Sequence, residues 1–287
     1  MTSRPKRPKR PTARRGAPAV AALCAALLTA AAGCTTAADD TGRNTAPGKT
    51  ALPRAGVDFD YQLGGPYTPP DTVGAVVRDR TERPVPGLYN VCYVNAFQAQ
   101  PDALGWWRKH HPELLLRDAD GEPVVDRDWD EVLLDTSTAD GRRRLAEIVG
   151  GWVDGCAAAG YQAVEPDNLD SYERSDGLLT AADNLAFAEL VARRAHSAGL
   201  AVAQKNTVAL APEARELGFD FAVAEECGQY DECGAYADAY DDRVLVVEYR
   251  PSGFAAACEE WGGRLSVVLR DLDLVPAGED GYVRRTC

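Results

Sequence analysis

The sequence is poor in the groups that many catalytic sites require. It has only three histidines, and no histidine or cysteine pair shows the spacing of a zinc site. The motifs G-x-S-x-G, G-x-x-x-x-G-K-[ST] and G-x-G-x-x-G, which mark serine hydrolases, phosphate-binding loops and dinucleotide-binding folds, are absent. These absences argue against hydride transfer, phosphoryl transfer and serine hydrolysis. We therefore expect no metal and no cofactor.

No apolar run reaches the roughly 20 residues of a comfortable membrane span. The run at residues 17–32 follows seven basic residues, which is typical of an export signal over residues 1–33. It closes with L-T-A-A-A-G-C, which resembles a bacterial lipobox. We expect lipidation of Cys34 and a place on the outer face of the membrane, with simple secretion as the alternative. Residues 34–54 are expected to form a flexible tether.

Basic residues are the scarcer charge, with 31 Lys and Arg against 44 Asp and Glu and a formal net charge of −13. Loss of the predicted signal, which holds seven basic and no acidic residues, would bring the charge to about −20. Such a surface repels nucleic acid and attracts a cationic polymer. Acidity that only keeps an exported protein soluble is the alternative. We expect no nucleic-acid partner.

Six of the eight cysteines follow Cys34. An even number in an exported protein implies disulfides, although six cysteines allow 15 pairings. One pair would close a small loop, a second would tie down the C-terminal segment, and the third follows by elimination. The expected pairs are Cys92–Cys156, Cys227–Cys233 and Cys258–Cys287.

Short apolar runs alternate with longer amphipathic ones from residue 55 to residue 287, a pattern typical of parallel βα units. Strands are predicted over residues 57–63, 73–78, 89–95, 161–167, 200–206, 221–226, 244–249 and 265–270. Helices are predicted over 140–159, 180–199 and 252–261. Eight strands in about 230 residues fit a single (β/α)₈ TIM barrel. Because only T-E-R-P-V-P-G separates the second strand from the third, we expect a degenerate βα unit there, with a different pairing of the second strand as the alternative.

Polar side chains gather where these strands end, and in a barrel those ends line the active site. The candidates are Asp60, Tyr61, Gln62, Tyr93, Asn95, Glu165, Asp167, Asn168, Asp170, Tyr172, Lys205, Asn206, Glu225, Glu226, Glu248, Tyr249 and Arg270, with Tyr230 and the Trp106–Trp107 pair as possible stacking platforms. Carboxylates with aromatics and amides are the equipment of a glycosidase. The spacing in E-P-D-N-L-D does not fit the EF-hand calcium loop.

Several of these stretches resemble glycoside hydrolase family 114. They include V-E-P-D-N-L-D-S-Y, Q-K-N, F-A-V-A-E-E-C-x-x-Y-D-E-C, D-Y-Q-L, C-Y-V-N, V-E-Y and L-R-D-L-D, which together span most of residues 55–287. The resemblance implies a (β/α)₈ barrel and an endo-α-1,4-polygalactosaminidase activity. The substrate would be a partly deacetylated, and therefore cationic, galactosamine polysaccharide, which suits the acidic chain and its carboxylates Asp60, Glu165, Asp170 and Glu248.

The resemblance also implies two catalytic carboxylates. We assign Asp167 as the nucleophile and Glu225 as the general acid/base of a retaining mechanism, with Glu165 and Glu226 as rivals. The other strand-end candidates and Tyr230 are expected to bind the substrate, and the protein is expected to be a monomer. Two alternatives stay open: a catalytically silent surface lipoprotein that binds amino-sugar polymer, and a glycosidase that acts on neutral α-galactosides.

Overall fold

The structure is a computed structural model, and it describes residues 50–287. The predicted signal, Cys34 and most of the predicted tether lie outside the described residues. Within residues 50–287, no helix has the length and apolar character needed to cross a membrane.

The described residues form twelve strands. They are β1 Phe59–Gln62, β2 Ala75–Asp79, β3 Tyr89–Asn95, β4 Gln98–Ala99, β5 Val125–Asp126, β6 Glu131–Leu133, β7 Ala163–Asp167, β8 Ala201–Lys205, β9 Phe221–Glu225, β10 Val244–Glu248, β11 Ser266–Arg270 and β12 Arg284–Thr286. All eight predicted strands are among them, each within two residues of its expected ends. Strands such as β10 and β11 are buried along their whole length, as expected of parallel strands covered on both faces.

The helices are α1 Leu104–His110, α2 Ala139–Ala159, α3 Ala181–Ser197, α4 Ala211–Glu216, α5 Cys227–Tyr230, α6 Cys233–Tyr240 and α7 Pro251–Trp261. The three predicted helices correspond to α2, α3 and α7. Thr138 caps α2, and Thr180 forms a capping box with Asp183 at the start of α3. Gly160 ends α2 in the left-handed conformation with φ 95°, where a side chain would be strained.

Nine strands form one mostly parallel sheet in the order β1-β2-β3-β7-β8-β9-β10-β11-β12. Every pair from β1 to β11 is parallel, and only β12 is antiparallel. The sheet is curled, with helices packed against it, and is consistent with a TIM-barrel glycoside hydrolase. Residues 80–88, between β2 and β3, form turns and no helix.

The sheet separates two apolar cores. The inner core lies on the concave side and includes Phe59, Val223, Leu245 and Val247. The outer core lies between the sheet and the helices, and it takes the alternate residues of the same strands, such as Val246. Because side chains of a strand alternate between faces, these two cores fix which strand-end residues point into the barrel.

The sheet closes at a seam between β1 and β11, and side chains carry much of that closure. β12 pairs with the edge of β11 that β10 leaves open. Arg284 of β12 donates to the carbonyl of Phe59 at 3.1 Å, and Arg270 of β11 donates to the carbonyl of Tyr61. Arg270 also forms an ion pair with Asp60 at 3.3 Å.

An insertion between β3 and α2 was not predicted from the sequence. Its strands β4, β6 and β5 form a separate antiparallel sheet beside the C-terminal end of β3. Three disulfides join Cys92 to Cys156, Cys227 to Cys233 and Cys258 to Cys287. The first links β3 to α2, and the third links α7 to the residue that follows β12.

Candidate active site

The inner face of the barrel changes from apolar to polar at the C-terminal ends of the strands, which we call the mouth. Inner-core positions continue into polar ones along the same strand face, as Ala203 does into Lys205 and Val223 into Glu225. Nine of the residues predicted to form the site are on this inward face: Tyr61, Tyr93, Asn95, Glu165, Asp167, Lys205, Glu225, Tyr249 and Arg270.

Lys205 is the centre of this group. Its Nζ lies 3.2 Å from Glu165 Oε1, 3.2 Å from Asp167 Oδ1 and 3.3 Å from Glu225 Oε2. It also donates to the Tyr61 hydroxyl at 3.1 Å. Burial lowers the pKa of Lys205, but the three carboxylates outweigh it and hold that pKa well above its usual value. The lysine is therefore a permanent cation shared by three acids from adjacent strands.

Asp167 accepts three hydrogen bonds from the protein. Tyr93 donates to Oδ2 at 2.7 Å, while the backbone amide of Asn168, at 2.9 Å, and Lys205 donate to Oδ1. Donors directed at both oxygens hold the Asp167 carboxyl group in one orientation, with Oδ1 toward Lys205 and Oδ2 toward Tyr93.

Glu225 has a different set of partners. Asn206 donates from Nδ2 to Oε2 at 3.1 Å, and its Oδ1 accepts from the backbone amide of Glu225 at 2.8 Å. The Tyr249 hydroxyl lies against Oε1. Because a hydroxyl can donate or accept, Tyr249 suits both the ionised and the protonated form of Glu225.

The three acids differ in how far their side chains are exposed to solvent. The Asp167 side chain is 16% exposed and that of Glu225 11%, whereas that of Glu165 is 0%. Only the first two can therefore touch a molecule in the mouth. Burial, with the charges of Asp167 and Glu225, raises the pKa of Glu165 to about 7, although Lys205 and the Tyr61 hydroxyl oppose this rise.

The chain leaves three consecutive strands through left-handed residues. Asn168 after β7 has φ 72°, Asn206 after β8 has φ 51° and Glu226 after β9 has φ 60°. Such angles are uncommon outside glycine, and asparagine tolerates them best. These turns place the Asn168 amide on Asp167 and direct the Asn206 side chain to Glu225.

The candidates near the seam belong to a buried network. Asp60 Oδ1 accepts from Tyr67 at 2.8 Å, and its Oδ2 accepts from Gln62 at 3.0 Å. The Asp60–Arg270 pair is fully buried on both sides. These residues hold β1 to β11, and none of them reaches the surface of the mouth.

The candidates beside the insertion form a second network. Asn95 donates to Glu131 at 2.8 Å and accepts from Asn168 at 3.0 Å. Asp170 is paired with Arg174 at 2.9 Å, and Arg174 also meets Asp126 at 2.6 Å. The network fixes the insertion against the mouth. The arginine could have been anticipated from its i+4 spacing to Asp170, whereas Glu131 and Asp126 had no sequence signal.

The remaining candidates lie around the rim or behind the sheet. Tyr172 is half-buried and donates to Glu173 at 3.2 Å, and Tyr230 is 42% exposed. Glu226 is buried, 3.8 Å from Arg250. Glu248 shares the outer face with Val246 and accepts from the Gly228 amide at 2.7 Å. Burial and the charge of Glu226 raise the pKa of Glu248 to about 7, against the effect of that amide.

Two further features concern sugar stacking by the tryptophan pair and metal binding by acidic side chains. Trp107 is buried in the outer core, while Trp106 is 42% exposed and packs on Trp107 and His111. Among residues 50–287 there is no group of three or more His, Cys, Asp or Glu side chains that could hold a metal ion. The space between the three carboxylates of the mouth is taken by the Lys205 ammonium.

Comparison with known proteins gives the family. The chain matches the model of glycoside hydrolase family GH114 over residues 40–287. It is similar in structure to Ega3 of Aspergillus fumigatus, solved in complex with galactosamine, with a TM-score of 0.64 and 24% identity over 83% of this chain and 97% of that one. It is also similar to the glycoside hydrolase domain of PelA from Pseudomonas aeruginosa, with a TM-score of 0.55 and 16% identity over 77% of this chain and 96% of that one. No curated protein matches. The two structures support the fold, and the family match, which covers most of the chain, shows that the protein belongs to glycoside hydrolase family GH114.

Proposed function

We propose that the protein hydrolyses internal α-1,4 bonds of a galactosamine-containing polysaccharide. The observation that carries the proposal is the pair Asp167 and Glu225, two partly exposed carboxylates that face each other across the Lys205 ammonium. Membership of a glycoside hydrolase family and the galactosamine complex of the similar Ega3 protein support the substrate class. The neutral α-galactosides considered above are the comparison substrates.

We assign the two carboxylates different roles because their partners differ. Asp167, with three donors, is the nucleophile that attacks the anomeric carbon. Glu225, whose Tyr249 partner accepts as readily as it donates, is the acid that gives its proton to the leaving oxygen. Glu165 is excluded from both roles in this proposal because it is fully buried.

The separation of the two acids agrees with a retaining mechanism. Their nearer oxygens touch the same nitrogen, so they lie no more than about 6.5 Å apart. Retaining enzymes hold their carboxyl groups about 5–5.5 Å apart, while inverting enzymes need roughly 6.5–9.5 Å to admit a water. Because this limit applies to the nearer oxygens, it is compatible with the retaining mechanism that we propose, and the family resemblance is what favours retention.

The proposed reaction has two steps. First, an oxygen of Asp167 bonds to the anomeric carbon while the glycosidic carbon–oxygen bond breaks, and the leaving oxygen takes the proton of Glu225. Second, water attacks the anomeric carbon, Glu225 takes the water's proton, and Asp167 leaves as the carboxylate. The first step neutralises Asp167 and ionises Glu225, so the negative charge moves from one neighbour of Lys205 to the other.

Substrate attraction is proposed to act at long range. The four carboxylates expected to meet substrate amines, Asp60, Glu165, Asp170 and Glu248, already bond to arginine, lysine or backbone amides. The excess of acidic residues over the whole chain would still concentrate a cationic polymer near the mouth, and this effect falls with added salt. Tyr230 and Tyr172 remain the proposed stacking contacts at the rim.

The test is digestion of galactosaminogalactan fractions, acetylated and deacetylated, with plain galactan as the third substrate and product analysis by mass spectrometry. Asp167→Asn and Glu225→Gln should each lower turnover at least about 10³-fold while thermal unfolding stays near that of the wild type. Glu226→Gln, next to Glu225 on the other face, is the matched variant and should keep measurable turnover. Binding without new reducing ends would instead identify a silent polymer-binding protein.

The oligomeric state, the location of the protein and the irregular βα unit are also part of the proposal. We propose a monomer, exported and either lipid-anchored through Cys34 or secreted, with a βα unit between β2 and β3 that has lost its helix. Mass spectrometry of the N-terminal peptide of the natural protein tests the anchor: an acylated Cys34 supports it, and an unmodified one contradicts it.

A further inference from the structure

Glu165 has no part in the two-step reaction, yet it is one of the most completely enclosed groups in the described part of the chain. Its side chain is 0% exposed, and its Oε2 has no hydrogen-bond partner there. Its other oxygen accepts from the Tyr61 hydroxyl at 2.7 Å and lies 3.2 Å from Lys205. A buried acid that touches no substrate but shares the cation of both catalytic acids needs an explanation.

The surroundings of Glu165 are almost all titratable. β1 contributes Tyr61, β3 Tyr93, β7 Asp167, β8 Lys205 and β9 Glu225, while Tyr249, the residue after β10, faces Glu225. These groups include one ammonium and three carboxyl groups. The cluster is electrically neutral when one carboxyl is ionised and two are protonated. In the proposed reaction Asp167 must be the ionised acid and Glu225 must carry a proton, which leaves the second proton for Glu165.

Lys205 poses a difficulty for an acid that must keep its proton. An ammonium 3.3 Å from Glu225 favours loss of that proton, whereas a second negative charge in the same cluster favours its retention. Burial raises the pKa of Glu165 to about 7, so its negative charge develops as the pH rises through neutrality. A general acid loses the proton that it must donate as the pH rises further.

We propose that Glu165 is a positioning residue that acts through Lys205 and Tyr61 and sets how far into alkaline pH Glu225 keeps the proton it must donate. The inference rests on the proposed function and deepens it. In the free enzyme, the Glu165 carboxylate offsets the lysine charge that Glu225 would otherwise meet. In the glycosyl-enzyme, with Asp167 neutral, Lys205 is free to stabilise the newly ionised Glu225.

The experiment is the pH profile of kcat/KM for the wild type, Glu165→Gln and Glu248→Gln. Glu165→Gln removes the charge and keeps the shape. Its alkaline limb should move to lower pH by at least about half a unit, while the acid limb stays in place because Glu165 is uncharged there. Glu248→Gln is the matched control: it replaces an equally buried strand-end glutamate that does not contact Lys205, and neither limb should move.

An alkaline limb of Glu165→Gln that coincides with that of the wild type would overturn the inference, as would an equal shift in Glu248→Gln. If Glu165→Gln does not fold, Tyr61→Phe replaces it. Without its donor, Glu165 ionises less readily, so the alkaline limb should again move to lower pH, and an unmoved limb contradicts the inference. A wild type without activity on any of the three polymers refutes the proposed function instead, so the two failures are distinct.

Discussion

Two glutamates, Glu165 of β7 and Glu248 of β10, show how the same residue type is used on the two faces of the sheet. Both are completely buried, both have one oxygen without a hydrogen-bond partner in the described residues, and burial raises both pKa values to about 7. Glu165 faces the barrel interior and meets a cation. Glu248 faces the helices and accepts from the backbone amide of Gly228 at the start of α5.

The partners of the two glutamates explain why Glu165 is linked to the proposed chemistry and Glu248 only to the packing of the sheet against the helices. A lysine side chain joins Glu165 electrostatically to Asp167 and Glu225. The Gly228 amide joins Glu248 only to α5, the helix to which that amide belongs. A carboxylate at the start of a helix also interacts favourably with the unpaired amide groups there. Thus a buried charge is informative about function only when its partners are known.

The largest expected effect comes from removing the cation. Lys205→Met leaves three carboxyl groups enclosed together and should lower the free energy of unfolding by about 3–5 kcal/mol, with loss of activity. Urea denaturation followed by circular dichroism measures it. The double variant Lys205→Met/Glu165→Gln removes one acid with the cation and should recover part of the stability. Equal stability of Lys205→Met and wild type would show that the ammonium does not hold the cluster together.

The second effect is on the pH dependence of stability. A carboxyl group whose pKa rises from 4.5 to about 7 on folding contributes stability that is complete below about pH 4.5 and is lost as the pH rises through about 7. Each glutamate should account for a loss of about 2–3 kcal/mol over that window. Glu248→Gln and Glu165→Gln should each flatten the wild-type slope, measured by urea denaturation at each pH. A slope unchanged in either variant would show that its glutamate does not titrate there.

A smaller effect on stability is expected from adding a side-chain atom next to Glu248. A Cβ on Gly253 would lie only 2.2 Å from Glu248 Oε2 and 2.9 Å from the Gln229 side chain. Gly253→Ala should therefore lower the free energy of unfolding by about 1–3 kcal/mol, with little change in the limbs of the pH profile. Urea denaturation and the kcat/KM profile test both parts.

The matched control for that substitution lies in α2. Gly155 is exposed, and a Cβ there would meet nothing within 4 Å. Gly155→Ala should stabilise the protein by up to about 1 kcal/mol, because alanine is the better helix former. If Gly253→Ala and Gly155→Ala changed the free energy of unfolding alike, the contact between α7 and Glu248 would not be as close as described.

The strands and the longer helices could be predicted because their signals are local. Eight apolar runs bounded by turn residues predicted the parallel strands, and apolar residues at helical spacing ahead of Gly160 predicted α2. The insertion was not predictable, since β4 and β5 have two residues each and no measurable alternation. β12 was missed because R-R-T has no apolar face.

The candidate site was predictable as a set of strand ends but not as an arrangement. Parallel strands are apolar on both faces, so V-L-V-V-E-Y does not reveal whether Glu248 or Tyr249 points inward. Two partners come from outside the predicted strands, Arg284 for Asp60 and Asp126 for Arg174, and only the fold brings these pairs close. Lys205 was predicted as a strand-end residue, while its contacts with Glu165, Asp167 and Glu225 depend on the fold of the sheet.

The seam between β1 and β11 gives the barrel a dependence on redox conditions. Side chains of Arg270 and Arg284 bridge the gap to β1, and the Cys258–Cys287 disulfide fastens the end of β12 to α7. Breaking that single covalent link would leave β12 held only by its short antiparallel pairing with β11 and by the arginine contacts to β1, while the parallel strands keep their own ladders. An oxidising compartment would then matter more for the closure of the barrel than for the formation of its strands.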